Sequence, residues 1–182
     1  LRPPMAKRPV FVPQFDGFPF VREVLVEFEW YPGFSKTQAQ KSIDSLHRAA
    51  TELGIAPVLE ISSKSSEPLG VSLSAFNLIL SPDEEQQMSV ECAFQGSKVF
   101  EKGGPYTDLY HVSSRGAKTD GRLRNSGELV AFSFLGEDFP TRPMTAFYNW
   151  LYIVALWQNS DLANKLFDFR GFSDIAFNPK RS

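Results

Sequence analysis

Glu91, Gln95 and Lys98 recur at i, i+4 and i+7 within the stretch Ser89-Val-Glu-Cys-Ala-Phe-Gln-Gly-Ser-Lys-Val-Phe100. Read as a helix over 89–101, the stretch stacks a carboxylate, an amide and an ammonium on one face. Groups held in that register can bind and polarise a polar ligand. Val90, Ala93, Phe94 and Val99 fall on other faces and can anchor the helix in a core. The same spacing also describes an amphipathic helix whose Glu91 and Lys98 are simply solvated, so spacing alone does not separate the two.

A second chemical signal is basic. Arg115, Lys118, Arg122 and Arg124 have the spacing of one helical face suited to a pyrophosphate or a nucleic-acid backbone, though such a run is usually solvated surface. Phe76 or Phe100 can stack on a base, with a place in the core as the ordinary alternative. Two His and one Cys make a zinc site an unfavourable reading. Cys92 follows Glu91 on a packed helix and reads as core, and His47 and His111 show no partner pattern.

Composition bounds the rest. The chain has 182 residues, 42% hydrophobic and 14% aromatic, which suffices for one substantial core. Net charge of −2 and a pI near 5.7 give no bulk electrostatic case for general nucleic-acid binding, so such a substrate requires a local basic patch. One cysteine excludes a disulfide framework and points to a reducing, cytoplasmic setting. The longest apolar run, Leu151 to Trp157, is too short to span a bilayer.

The elements that must position these residues follow from periodicity. Val24, Val26, Phe28 and Trp30 alternate as a strand, and Ser35-Lys-Thr-Gln38 resembles a capping box opening an amphipathic helix over 36–53, with Gly54 as its C-cap. Val58–Ile61 reads as a strand. The segments 62–70 and 72–77 are too rich in Ser, Pro and Gly for a regular element and are read as loop. Ser113 or Ser114 caps a short helix, Glu128–Leu135 alternates as a strand, and 144–157 is apolar nearly all round, the pattern of a central buried helix. A last helix over 161–169 and a strand-like 174–177 complete the series. Irregular mixing of strands and helices predicts α+β, mainly helical with a small mixed sheet. Residues 5–182 are read as a single domain in which 5–59 form an integral strand–helix–strand extension. Residues 1–4, preceding Met5, are read as a remnant, and the chain's stop at Ser182 leaves room for a further C-terminal element.

With the elements placed, the chain resembles the NADAR (NAD- and ADP-ribose-associated, YbiA-like) family. Val90-Glu-Cys-Ala-Phe-Gln-Gly-Ser-Lys-Val-Phe100 resembles the family's xEHxFQAxKF signature, with Cys92 in place of the His. Ser63-Lys-Ser-Ser-Glu-Pro-Leu-Gly-Val-Ser-Leu-Ser-Ala-Phe-Asn77 is similar to YxKxxxPFGxLSNF, with Ala75 in place of an Asn. Ala117-Lys-Thr-Asp-Gly-Arg122 is similar to AKxxGR. Phe139 stands where the family has Trp, and the terminal DxxWG is absent, with Asp174 an imperfect stand-in.

The closest resemblance is to the subgroup paired with DarT-type toxins. It implies an enzyme that removes ADP-ribose from guanosine in DNA, releasing ADP-ribose, without cofactor or metal and without a membrane, as antitoxin to a DarT-type DNA ADP-ribosyltransferase. It assigns Lys64 as a Schiff-base nucleophile and Glu91 as acid/base, with Lys98 the second choice for the covalent lysine. Ser74, Phe76, Gln95, Lys98, Lys118, Arg122 and Asp174 become ligand contacts. The alternatives are a non-catalytic ADP-ribose or nucleotide-binding module and an antitoxin that masks its toxin by direct binding.

Overall fold

Alternation of apolar and charged residues builds a long hairpin first. In the computed structural model, which describes residues 1–178, β1 (Met5–Pro13) pairs antiparallel with β2 (Val21–Glu29), register Met5↔Glu29 through Pro13↔Val21. Sequence reading missed β1, because Pro9 and Pro13 argue against a strand. Pro9 is accommodated because β1 meets its other neighbour, β9 (Gly171–Ser173), only at Phe11↔Phe172. Parallel pairing of β3 (Val58–Glu60) with β9 completes a mixed sheet of order β2-β1-β9-β3.

Helix α1 (Lys36–Glu52) begins as expected. Ser35 caps the Gln38 N–H, while the Gln38 side chain turns to the Pro32 carbonyl, so only half of the capping box forms. Gly54, at φ +82°, follows the cap residue Leu53 in the left-handed region. The helix buries Ile43, Leu46 and Ala50 against Val10, Val26 and Phe28. The segment read as loop holds a helix, α2 (Pro68–Ser72), which opens on a proline whose fixed φ suits a first helical position. These elements form a unit comprising Leu1–Ser74 and Asn164–Ser182.

The second unit, Ala75–Ala163, carries two small sheets. One pairs β4 (Ile79–Leu80) with β5 (Met88–Ser89); the other has the order β6 (Lys98–Phe100), β7 (Leu129–Phe134), β8 (Glu137–Phe139). Its helices are α3 (Val90–Gly96), α4 (Ser114–Thr119), α5 (Arg122–Asn125) and α6 (Ala146–Gln158), followed by α7 (Ser160–Asn164). An aromatic cluster fills this unit: Phe132 stacks on Phe147 at 4.7 Å, and Phe94 lies 5.5 Å from Phe132.

Four expectations change. The 89–101 helix ends at Gly96: a Cβ there would sit 2.5 Å from the Tyr110 ring, and Ser97 Oγ turns back to the Ala93 carbonyl at 2.6 Å. Lys98 then lies on a strand, so Glu91, Gln95 and Lys98 do not share one helical face. The basic run is likewise split between α4 and α5. The apolar helix is only partly buried: Phe147, Leu151 and Ala155 face the core at successive i+4 steps, whereas Ile153 and Trp157 are 58% and 83% exposed. Finally, the strand near the C-terminus is 171–173, and Asp174–Phe177 is a turn closed by Phe177 N–H to the Asp174 carbonyl. The α+β class holds.

Candidate functional site

In the second unit, short elements converge on Glu91. Ser89 caps α3 by accepting the Cys92 N–H at 3.1 Å, and its hydroxyl shares a 2.6 Å hydrogen bond with Ser114, which donates to the Phe76 carbonyl. One polar chain thus ties the start of α3 to the start of α4 and to residue 76. Glu91 stands in the first turn, buried, its N–H bonded to the Ala75 carbonyl. One of its carboxylate oxygens accepts from Gln95 Nε2 at 2.9 Å, and Gln95 Oε1 is buried with no hydrogen-bond partner among the described residues.

Lys98, displaced from the helix to β6, remains electrostatically part of this group. Its amine lies 4.8 Å from the Phe94 ring centre. Burial holds its pKa below the ordinary lysine value; the Glu91 carboxylate opposes that shift and the Lys118 ammonium adds to it. Lys118 Nζ in turn lies 5.1 Å from the Phe76 ring centre. Phe76, Glu91, Gln95, Lys98 and Lys118 therefore form one neighbourhood: a buried carboxylate, an amide and two cations over aromatic faces.

Arg122 is placed differently. Its guanidinium binds both oxygens of Asp108, at 3.2 and 2.7 Å, and pairs with Asp120 at 2.9 Å, over the Tyr106 ring. Both carboxyls are drawn below the usual aspartate value by hydrogen bonding to Arg122. Two carboxylates thus engage its single charge within the Tyr106–Asn125 region. Cys92 is buried, its thiol directed at the Val112 carbonyl at 3.3 Å, in keeping with a core position.

The first unit carries Lys64, Ser74 and Asp174. Lys64 sits in the loop after β3, with its N–H on Ser62 Oγ and its amine 3.4 Å from the Phe34 carbonyl. Ser74 is 5% exposed just past α2. The Asp174 side chain accepts the Ala176 N–H at 3.0 Å. What holds these segments is Glu60, which sequence reading missed. Only 1% exposed, its carboxylate accepts Ser173 Oγ at 2.8 Å and the Ile175 N–H at 2.9 Å, and it interacts with the Ser62 hydroxyl. Burial raises its pKa, against the hydrogen bonds. Ser173 donates to Glu60, so the 2.8 Å contact between His47 Nε2 and Ser173 Oγ requires the protonated Nε2 of His47 as donor. His47 is largely buried, and desolvation lowers its pKa to about 4. Glu60 was legible only as a carboxylate inside an otherwise apolar strand, Val-Leu-Glu-Ile; His47 gave no signal.

Among the described residues no group of three or more His, Cys, Asp or Glu is placed to hold a metal ion. No helix is long and apolar enough to cross a membrane.

Residues 6–182 match the profile of the family described as DarT1-associated NADAR antitoxin, and the chain belongs to that family. A search of curated proteins finds no match.

Proposed function

We propose that the protein is a hydrolase that removes ADP-ribose from ADP-ribosylated guanosine in DNA and so acts as antitoxin to a DarT-type DNA ADP-ribosyltransferase, working in the cytoplasm. Membership of a DarT1-associated antitoxin family supports the biological setting. The observation that carries the chemistry is the Glu91 neighbourhood: a buried carboxylate bonded to Gln95, close to a lysine amine whose proton is loosened by burial.

ADP-ribose joined to the exocyclic amine of guanine is an N,O-acetal at the ribose anomeric carbon. Protonation of the ring oxygen by a general acid, assigned to Glu91, breaks the bond from that oxygen to the anomeric carbon and leaves a cationic imine to the base. A neutral lysine amine adds to this carbon, and the guanine amine departs with a proton. The resulting lysine Schiff base takes up water, expels the lysine and leaves the free aldehyde, which recloses as ADP-ribose. Electron pairs balance at each step, and no oxidant or metal enters.

The nucleophile is assigned to Lys64 from the family motif. A second reading places it at Lys98, because there the amine meets the physical requirement directly: it is half-buried and its pKa is lowered by burial and by a neighbouring cation. Phe76, Gln95 and Lys118 are assigned to ligand contact in this neighbourhood. Borohydride added during turnover should reduce the Schiff base to a stable adduct, and peptide mass spectrometry should place it on Lys64. An adduct on Lys98 would transfer the role, and a fully active Lys64→Ala variant with no adduct on either lysine would remove the covalent mechanism.

A further inference from the structure

The unpaired oxygen of Gln95 bears on which base the site accepts. Gln95 is 6% exposed, and its Nε2 donates to Glu91 Oε1 at 2.9 Å. Glu91 Oε1 is the acceptor in this contact, with the proton of the proposed acid step on its other oxygen, and the amide then turns its own oxygen away from the carboxyl group. Oε1 must therefore be the free end, and among the described residues no donor reaches it. A buried acceptor left unpaired carries a desolvation penalty that a ligand N–H or O–H can relieve.

We propose that Gln95 is a specificity-determining residue that reads the N1–H of guanine, so that the site takes guanine and rejects adenine. The proposal rests on the guanosine-hydrolase reading and adds the base-selecting atom to it. Glu91 is assigned to the ribose ring oxygen, on the anomeric carbon that carries the exocyclic amine, and Gln95 Oε1 is presented by the side chain hydrogen-bonded to it. In guanine two ring nitrogens flank the exocyclic amine, and one of them, N1, carries a hydrogen and donates, while N3 only accepts. In adenine the ring nitrogen beside the exocyclic amine is N1, which only accepts and would oppose Oε1 lone pair to lone pair. Sites that pair a substrate donor with a buried polar group discriminate strongly, because the analogue lacking the donor leaves that group unpaired.

The test uses oligonucleotides carrying ADP-ribosylated guanine or its 1-deaza analogue, in which N1–H becomes C–H with the shape unchanged. The wild-type chain should lose about 10–100-fold in kcat/KM on the analogue, the size of one buried hydrogen bond. Gln95→Met, of similar volume and without an acceptor, should turn over both substrates at one equally reduced rate. Equal wild-type rates on the two substrates, or a discrimination that survives in Gln95→Met, would overturn the proposal. If the wild type hydrolyses neither substrate, the hydrolase reading fails by itself. Calorimetry with guanosine monophosphate and its 1-deaza analogue then decides for Gln95: a wild-type preference of about tenfold or more that Gln95→Met abolishes supports it, and no preference or no binding overturns it.

Discussion

At the scale of single residues, buried polar groups carry the account. Glu60 is almost fully buried and is held by the Ser173 hydroxyl and the Ile175 N–H. Glu60→Ala leaves both donors unpaired and should cost about 2–4 kcal/mol, read as a lower urea midpoint with an unchanged slope. His47 gives a pH signature. Its pKa falls from 6.5 to about 4 on folding, so the unfolded chain binds the extra proton between those values. Stability is then fully present above pH 6.5 and declines as pH falls toward 4, by up to about 3 kcal/mol. Glu60 works in the opposite sense, because its raised pKa makes the folded chain take up a proton first on acidification. Urea melts of the wild type and His47→Gln at pH 7 and pH 4.5 should show the acid loss shrinking in the variant. An unchanged loss would place the acid sensitivity elsewhere.

At the scale of elements, short-range periodicity was legible and its interruptions were not. Ser35, the apolar face of α1 and Gly54 gave that helix nearly residue by residue, because caps and a 3.6-residue period are local. The helix through Glu91 was read too long because what ends it is distant in sequence: Gly96 abuts Tyr110, and Lys98–Phe100 pair with β7. Glu91 and Gln95 survived that error, since one turn separates them. The Lys98 amine kept its place near Glu91 by a route the periodicity did not contain. A Gly96→Ala substitution forces a methyl into the Tyr110 ring and should cost about 1–3 kcal/mol by thermal melting. Helix α6 teaches the converse, since apolar composition all round did not mean burial all round. Phe147→Ala, at the centre of the aromatic cluster, should cost about 3–5 kcal/mol. Trp157→Ser, on the exposed face, should stay within about 0.5 kcal/mol; a large loss there would contradict the exposure seen.

At the scale of the whole molecule, family membership and the α+β class agree with what the motifs implied, while the reaction itself is a proposal. The first unit carries Lys64 on a loop anchored through Glu60, and the second carries Glu91, Gln95 and Lys98. The motif around Arg122 names a residue type and says nothing about the two aspartates that engage it. Incubating the purified chain with DNA bearing ADP-ribosylated guanosine, and following products by mass spectrometry, tests the central claim most directly. The account predicts free ADP-ribose and restored guanine from the wild type and neither from Lys64→Ala. Intact modified DNA bound tightly by an inactive wild-type chain would contradict it.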